Sequence, residues 1–190
     1  MKQKLKYIAS IASGVYEKVH PSGDTFYLQG KDFDEYGRIR RDMKMLPELL
    51  ANERLEKHLL RDGDILLIAK GESNRACLYQ EAIGPAVASS TFFVIRPAKS
   101  ELLPEYMQWY FNTRYMKDIF SGLSKGTQIA SLSKKTLAEI EIPVPPLREQ
   151  KKILEIQRLW EHEKSLTLKL MELKDLNIQK LLLKNSNSIQ

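Results

Sequence analysis

Two hydrophobic periods follow one another along this chain, and they change at the proline cluster Pro143, Pro145 and Pro146. Ahead of it, short β-type runs are separated by turn residues: Thr25-Phe-Tyr-Leu, Asp64-Ile-Leu-Leu-Ile-Ala and Thr91-Phe-Phe-Val-Ile-Arg, each bordered by glycine, proline or serine. One amphipathic helix is predicted among them. Pro104 suits its first turn, Tyr106, Trp109, Tyr110, Met116 and Phe120 fall broadly on one face, and Gly122 marks its end. The pattern predicts an α+β, mixed α/β domain over residues 1–146.

Beyond Pro146 there is no further glycine or proline, and Leu, Glu, Lys and Gln dominate. This predicts one long coiled-coil-type helix over 147–184, with 185–190 as a frayed tail. At 1.5 Å per residue it would be roughly 55 Å long, too long for a domain of this size to cover. Ile156, Leu159, Leu166, Leu170 and Leu173 follow steps of three, seven, four and three, and Glu163 and Asn177 occupy the remaining seam positions. Ile153, Trp160, Leu176, Leu181 and Leu182 widen the apolar face. Two readings stay open: a helix that meets a partner, and one folded back on its own domain.

Composition narrows the classes. A hydrophobic content of 43% over 190 residues suffices for a packed core. The net charge of +6 favours polyanionic partners, yet the excess is spread evenly, +3 on each side of Pro146. A basic face must therefore be assembled by folding. Cys77 is the only cysteine, so no intrachain disulfide or multi-cysteine zinc site forms, which suits a reducing compartment. No secretory signal is legible and no apolar run reaches the roughly 18 residues of a membrane span, so the expectation is a cytoplasmic chain with no membrane partner.

The proline cluster also carries a recognisable pattern. Ile142-Pro-Val-Pro-Pro-Leu-Arg-Glu-Gln-Lys-Lys-Ile, followed at once by a long helix, resembles the junction between target-recognition domain and conserved helix in the specificity subunits of type I restriction-modification systems. Physically it is a strap with restricted backbone angles, with Pro146 in the first helical turn and Glu149 near the positive helix end, a strap that would set the domain's angle on the helix. Three further stretches resemble the family in order. They are Tyr27-Leu-Gln-Gly-Lys-Asp-Phe-Asp-Glu-Tyr-Gly-Arg-Ile, Gly63-Asp-Ile-Leu-Leu-Ile-Ala-Lys-Gly-Glu-Ser-Asn-Arg, and Gly126-Thr-Gln-Ile-Ala-Ser-Leu-Ser. Asn74 stands where a second glycine is commoner, and asparagine also tolerates a positive φ. Gln128 stands one position before Ile129, where the family often has glutamine.

The resemblance implies a half-length specificity subunit with one recognition domain and one helix, where complete members have two of each. Two such chains would pair their helices antiparallel as a homodimer, with Ile156, Leu159, Trp160, Leu166, Leu170, Leu173 and Asn177 at the interface. The implied partners are double-stranded DNA with an interrupted target, an adenine-specific DNA methyltransferase subunit that holds S-adenosylmethionine, and a restriction nuclease-translocase subunit. The chain itself would be non-catalytic and bind no cofactor. Alternatives are pairing with a different specificity chain, or an interaction module that binds the methyltransferase as a decoy without touching DNA.

Candidate chemistry agrees with a binding role. The only double proline, Pro145-Pro146, lies between Val144 and Leu147, unlike the Asn/Asp-Pro-Pro-aromatic motif expected of an adenine methyltransferase, and no glycine-rich phosphate loop occurs. Glu48, Glu53, Glu56 and Lys57 only loosely imitate a nuclease site and read better as the polar face of a short helix. His20, His58 and His162 lack ligand spacing and read as surface residues. Cys77 reads as a small buried hydrophobe. Three basic sets are candidates for DNA contact: Arg38, Arg40, Arg41 and Lys44 after Gly37; Lys70 and Arg75 flanking the glycine loop; and Lys125, Thr127, Gln128, Lys134 and Lys135 around Gly126. The first set is equally compatible with a solvated turn.

Overall fold

In the computed structural model, β4 (Ile65–Ile68) consists of four consecutive buried residues. A strand that is apolar on both faces must be covered on both sides. It is the third member of a four-stranded antiparallel sheet with β2 (Ala9–Ser13), β7 (Phe92–Pro97) and β5 (Ala76–Leu78), in the order β2-β7-β4-β5. Leu66, Ile68, Phe92, Val94 and Cys77 face one side and pack with Leu28, Phe33, Ala86 and Ala88. That side carries the parallel pair β3 (Phe26–Leu28) and β6 (Ala86–Ala88). Alternation turns Ile65 and Leu67 to the opposite face, and a helix, α2 (Pro104–Asn112), packs against β4 and β5.

The structure describes residues 1–20, 22–40, 45–69, 74–98, 100–123 and 132–186. They form two compact units, Met1–Gln150 and the chain from Lys151 onward. Three of the expected strand runs appear as β3, β4 and β7. A small antiparallel pair, β1 (Lys2–Lys4) with β8 (Glu141–Pro143), fixes the N-terminus to the proline strap, and the Val144 amide extends it by donating to the Met1 carbonyl at 2.9 Å. The short helix α1 (Glu53–Glu56) is capped by Asn52, whose side chain accepts from the amides of Arg54 and Leu55, and Glu53, Glu56 and Lys57 form its exposed polar side.

The single helix expected after Pro104 is two helices. α2 ends at Asn112 and α3 covers Arg114–Leu123, passing through Gly122 rather than stopping before it. Thr113 makes the break with an extended ψ of 151°. Its hydroxyl donates to the Tyr110 carbonyl at 2.7 Å and accepts from the Met116 amide at 3.3 Å, so it closes one helix and opens the next. Further on, α4 (Lys134–Ala138) precedes β8, and α5 (Leu147–Ser186) is an uninterrupted helix of 40 residues. Along α5 from Lys151, the side chains of Ile156, Leu159, Trp160, Leu166, Leu170 and Leu173 are each more than half exposed.

Candidate nucleic-acid interface

The turn holding Arg38 and Arg40 is built by a carboxylate and a glycine. Asp34 Oδ1 accepts the amides of Tyr36 and Arg38, both at 2.9 Å, and Phe33 bridges Ile39 across the turn. Gly37 adopts φ 76°, and a Cβ there would lie 2.1 Å from the Ala76 carbonyl oxygen, so only glycine lets the turn approach β5. Gln108 on α2 fastens it, its Nε2 donating to the Tyr36 carbonyl at 3.0 Å and to that of Ala76 at 3.3 Å. Ile39 packs on the core while Arg38 and Arg40, two positions apart, are exposed. The Arg38 guanidinium lies 5.7 Å from the Tyr36 ring centroid.

A second convergence lies at the end of β4. The Ala69 amide donates to Thr91, and its carbonyl accepts the Leu132 amide at 2.9 Å. Asn74 has φ 30°, the left-handed geometry for which asparagine is tolerated, and its Nδ2 donates to the Ile68 carbonyl at 3.1 Å. Arg75 Nη2 donates to the Gly30 carbonyl at 2.9 Å. Gly30, Ala69, Arg75 and Leu132 are thereby tied into one region. Lys134 and Lys135 follow in the first turn of α4, exposed, behind the cap in which Ser133 Oγ accepts the Thr136 amide at 3.0 Å.

Arg75 apart, the sequence candidates that the structure describes lie on two separate segments. Arg38 and Arg40 sit on the braced turn, and Lys134 and Lys135 beside the Ala69–Leu132 hydrogen bond. Arg75 differs from them: it is half-buried, its Nη2 is clamped to the Gly30 carbonyl, and its Nε is buried without a hydrogen bond among the described residues. Arg41, Lys44, Lys70, Lys125, Thr127 and Gln128 lie outside the described residues. Cys77 is fully buried, and burial pushes its thiol up to about 12, far from the range of a nucleophile. His20, His58 and His162 are exposed.

Sequence reasoning passed over two polar anchors. Gln150, fully buried, accepts the Leu103 amide at 2.9 Å and donates to the carbonyls of Glu101 at 2.6 Å and Pro145 at 2.7 Å, locking strap and first helical turn to the segment before α2. Its signal was its place in the Arg-Glu-Gln run after the strap. Asp64, also fully buried, binds Arg96 through both carboxylate oxygens, and the bond to Asp64 raises the Arg96 pKa.

Comparison with known proteins accords with this architecture. The profile of the type I restriction modification DNA specificity domain matches residues 44–170. The chain is 29% identical over 157 residues to the type I restriction enzyme MjaIX specificity subunit of Methanocaldococcus jannaschii, covering 80% of this chain and 35% of that protein. It is 26% identical over 113 residues to the putative MjaX specificity subunit of the same organism, covering 57% and 27%. The chain thus spans about a third of the length of these relatives. In fold it resembles the HsdS subunit from Thermoanaerobacter tengcongensis, with a TM-score of 0.62 at 20% identity over 86% of this chain and 37% of that one. It also resembles a chain of a type I R-M system solved for its complex assembly and conformational transition, with a TM-score of 0.64 at 19% identity over 86% and 38%. A profile match over more than half of its residues, on a fold shared with specificity-subunit structures, places this chain in the type I restriction modification DNA specificity domain family.

Proposed function

We propose that this chain is a non-catalytic DNA-recognition subunit that directs a partner adenine methyltransferase, and a nuclease-translocase, to an interrupted DNA target. The observation that carries the reading is the braced turn: Arg38 and Arg40 stand outward on a segment that Asp34, Gly37 and Gln108 hold still. A pre-organised pair of guanidiniums suits phosphates or the guanine edge in the major groove. Lys134, Lys135 and the segments that flank Ala69 and Leu132 would extend the contact.

The exposed apolar face of α5 supports self-association, because a regular stripe of this length is seldom left wet. A symmetric pair would bury it in a self-complementary interface and present two identical recognition units, so the target would be an interrupted palindrome. Pairing with a different specificity chain would give a non-palindromic target instead.

The test is DNA binding by the chain together with its cognate methyltransferase, measured across a range of salt. Affinity that falls steeply with salt and favours one sequence supports recognition. Tight methyltransferase binding without any DNA affinity would identify a decoy.

A further inference from the structure

One margin of the four-stranded sheet is left partly uncovered. The register Ser10↔Arg96 and Ala12↔Val94 places these residues on one face. Val94 is buried in the core, whereas Ser10 and Ala12 of the edge strand are exposed. Lys57 and His58, in the segment that follows α1, line a cavity here together with Ser13 and Gly14. Gly14 can sit there because it lacks a side chain: a Cβ would lie 2.1 Å from the Ser89 carbonyl oxygen. The cavity measures about 70 Å³. Since a water molecule in the liquid takes roughly 30 Å³, a group larger than one water fits.

The lining has the character of an anion site. Lys57, His58 and Arg96 bring nitrogen donors, Ser10 brings a hydroxyl, and among the described residues the lining carries no carboxylate. Arg96 is held from behind by Asp64, with Nε and Nη2 2.7 and 2.6 Å from its two oxygens, while a third of the Arg96 side chain remains exposed. That pair fixes the guanidinium in place and offsets much of its charge, so Lys57 supplies the excess. A donor-rich, positively charged cradle matches a phosphate group, whose oxygens only accept when ionised.

We propose that the cradle of Ser10, Lys57, His58 and Arg96 is a phosphate-binding site, separate from the turn of Arg38 and Arg40. Strand order sets the separation. The cradle lies on the outer strand β2 and the turn lies against β5 at the opposite edge, three strand spacings or about 14 Å away. A nucleic-acid backbone or free phosphate would each present the chemistry that the cradle accepts.

The experiment is a titration of the full chain with inorganic phosphate, followed by amide chemical shifts and referenced to chloride at equal ionic strength. Saturable shifts confined to Ser10, Ser13, Gly14, Lys57 and His58, and abolished in the Lys57→Ala, His58→Ala double variant, are expected. Both substituted side chains are exposed, so the rest of that variant's spectrum should keep its folded dispersion. Shifts no larger than those with chloride, or shifts kept in the variant, would overturn the proposal. This arm does not depend on the DNA-recognition reading. A second arm replaces phosphate with a duplex of arbitrary sequence. Movement of the same amides, with a salt slope made shallower in the variant by about 0.9 for each DNA phosphate no longer neutralised, identifies the backbone as the source. Phosphate binding with those amides unmoved by the duplex identifies free phosphate instead.

Discussion

Arg96 on β7 meets Asp64, just before β4, in a two-point ion pair: Nε to Oδ1 at 2.7 Å and Nη2 to Oδ2 at 2.6 Å. Asp64 is wholly buried, and its Oδ2 also accepts the Arg61 amide at 2.8 Å. Removing the arginine leaves a buried carboxylate with backbone help alone. Arg96→Ala is therefore expected to destabilise the folded chain by about 3 kcal/mol, the lower end for breaking a buried pair, since the guanidinium is partly solvated. Adding Asp64→Asn to that variant removes the unpaired charge and should restore part of the stability. Urea unfolding of the parent and the two variants checks this, and an Arg96→Ala change below about 0.5 kcal/mol, the range of an ordinary surface substitution, would contradict it.

Gln150 offers a cleaner isosteric test. Its amide donates to two carbonyls, those of Glu101 and Pro145. Gln150→Glu keeps the size but turns oxygen toward oxygen, so both carbonyls are left without a donor inside the protein. A destabilisation of at least about 2 kcal/mol is expected, at about 1–3 kcal/mol for each buried group left unsatisfied. Arg148→Ala, exposed in the same turn, should change stability by no more than about 0.5 kcal/mol.

These two anchors mark where the sequence stops being legible. The buried run Ile65–Ile68, the period of α5 and the tolerance of Asn74 for a positive φ follow from local rules and appear in the structure. β2, with its Ala-Ser-Ile-Ala-Ser pattern, and the three-residue strands β1, β5, β6 and β8 are set by their partners across the sheets, which no local period reports. The break at Thr113 arises from hydroxyl bonds whose geometry a hydrophobic pattern does not encode. The candidate basic residues were legible as clusters. That Arg75 turns inward to Gly30 while Arg38 and Arg40 turn outward depends on tertiary packing alone.

Arg38 and Arg40 should matter for DNA rather than for folding. Both are exposed, so the double change to alanine is expected to leave the unfolding midpoint nearly unchanged. Binding of the methyltransferase complex to its target should weaken by roughly tenfold or more, as removal of one good base contact worth about 1–3 kcal/mol requires. Equal affinity in fluorescence anisotropy would reduce the turn to a solvated loop.

The apolar face of α5 makes a separate prediction. Leu166 and Leu170 are 55% and 52% exposed in the single chain. If a second copy covers them, Leu166→Glu with Leu170→Glu should convert a dimer into a monomer in light scattering, with the recognition domain still folded by circular dichroism. An unchanged dimer mass would move the interface elsewhere, and a monomeric parent chain would favour a different partner.

The central claim is that this chain chooses the DNA sequence on which another protein acts. It is tested most directly by sequencing that detects modified adenines in a host expressing the chain with its cognate methyltransferase. One interrupted motif is expected, methylated on both strands at symmetry-related positions, and absent when the methyltransferase is expressed alone. An active methyltransferase that leaves no such motif in the presence of this chain would contradict the account.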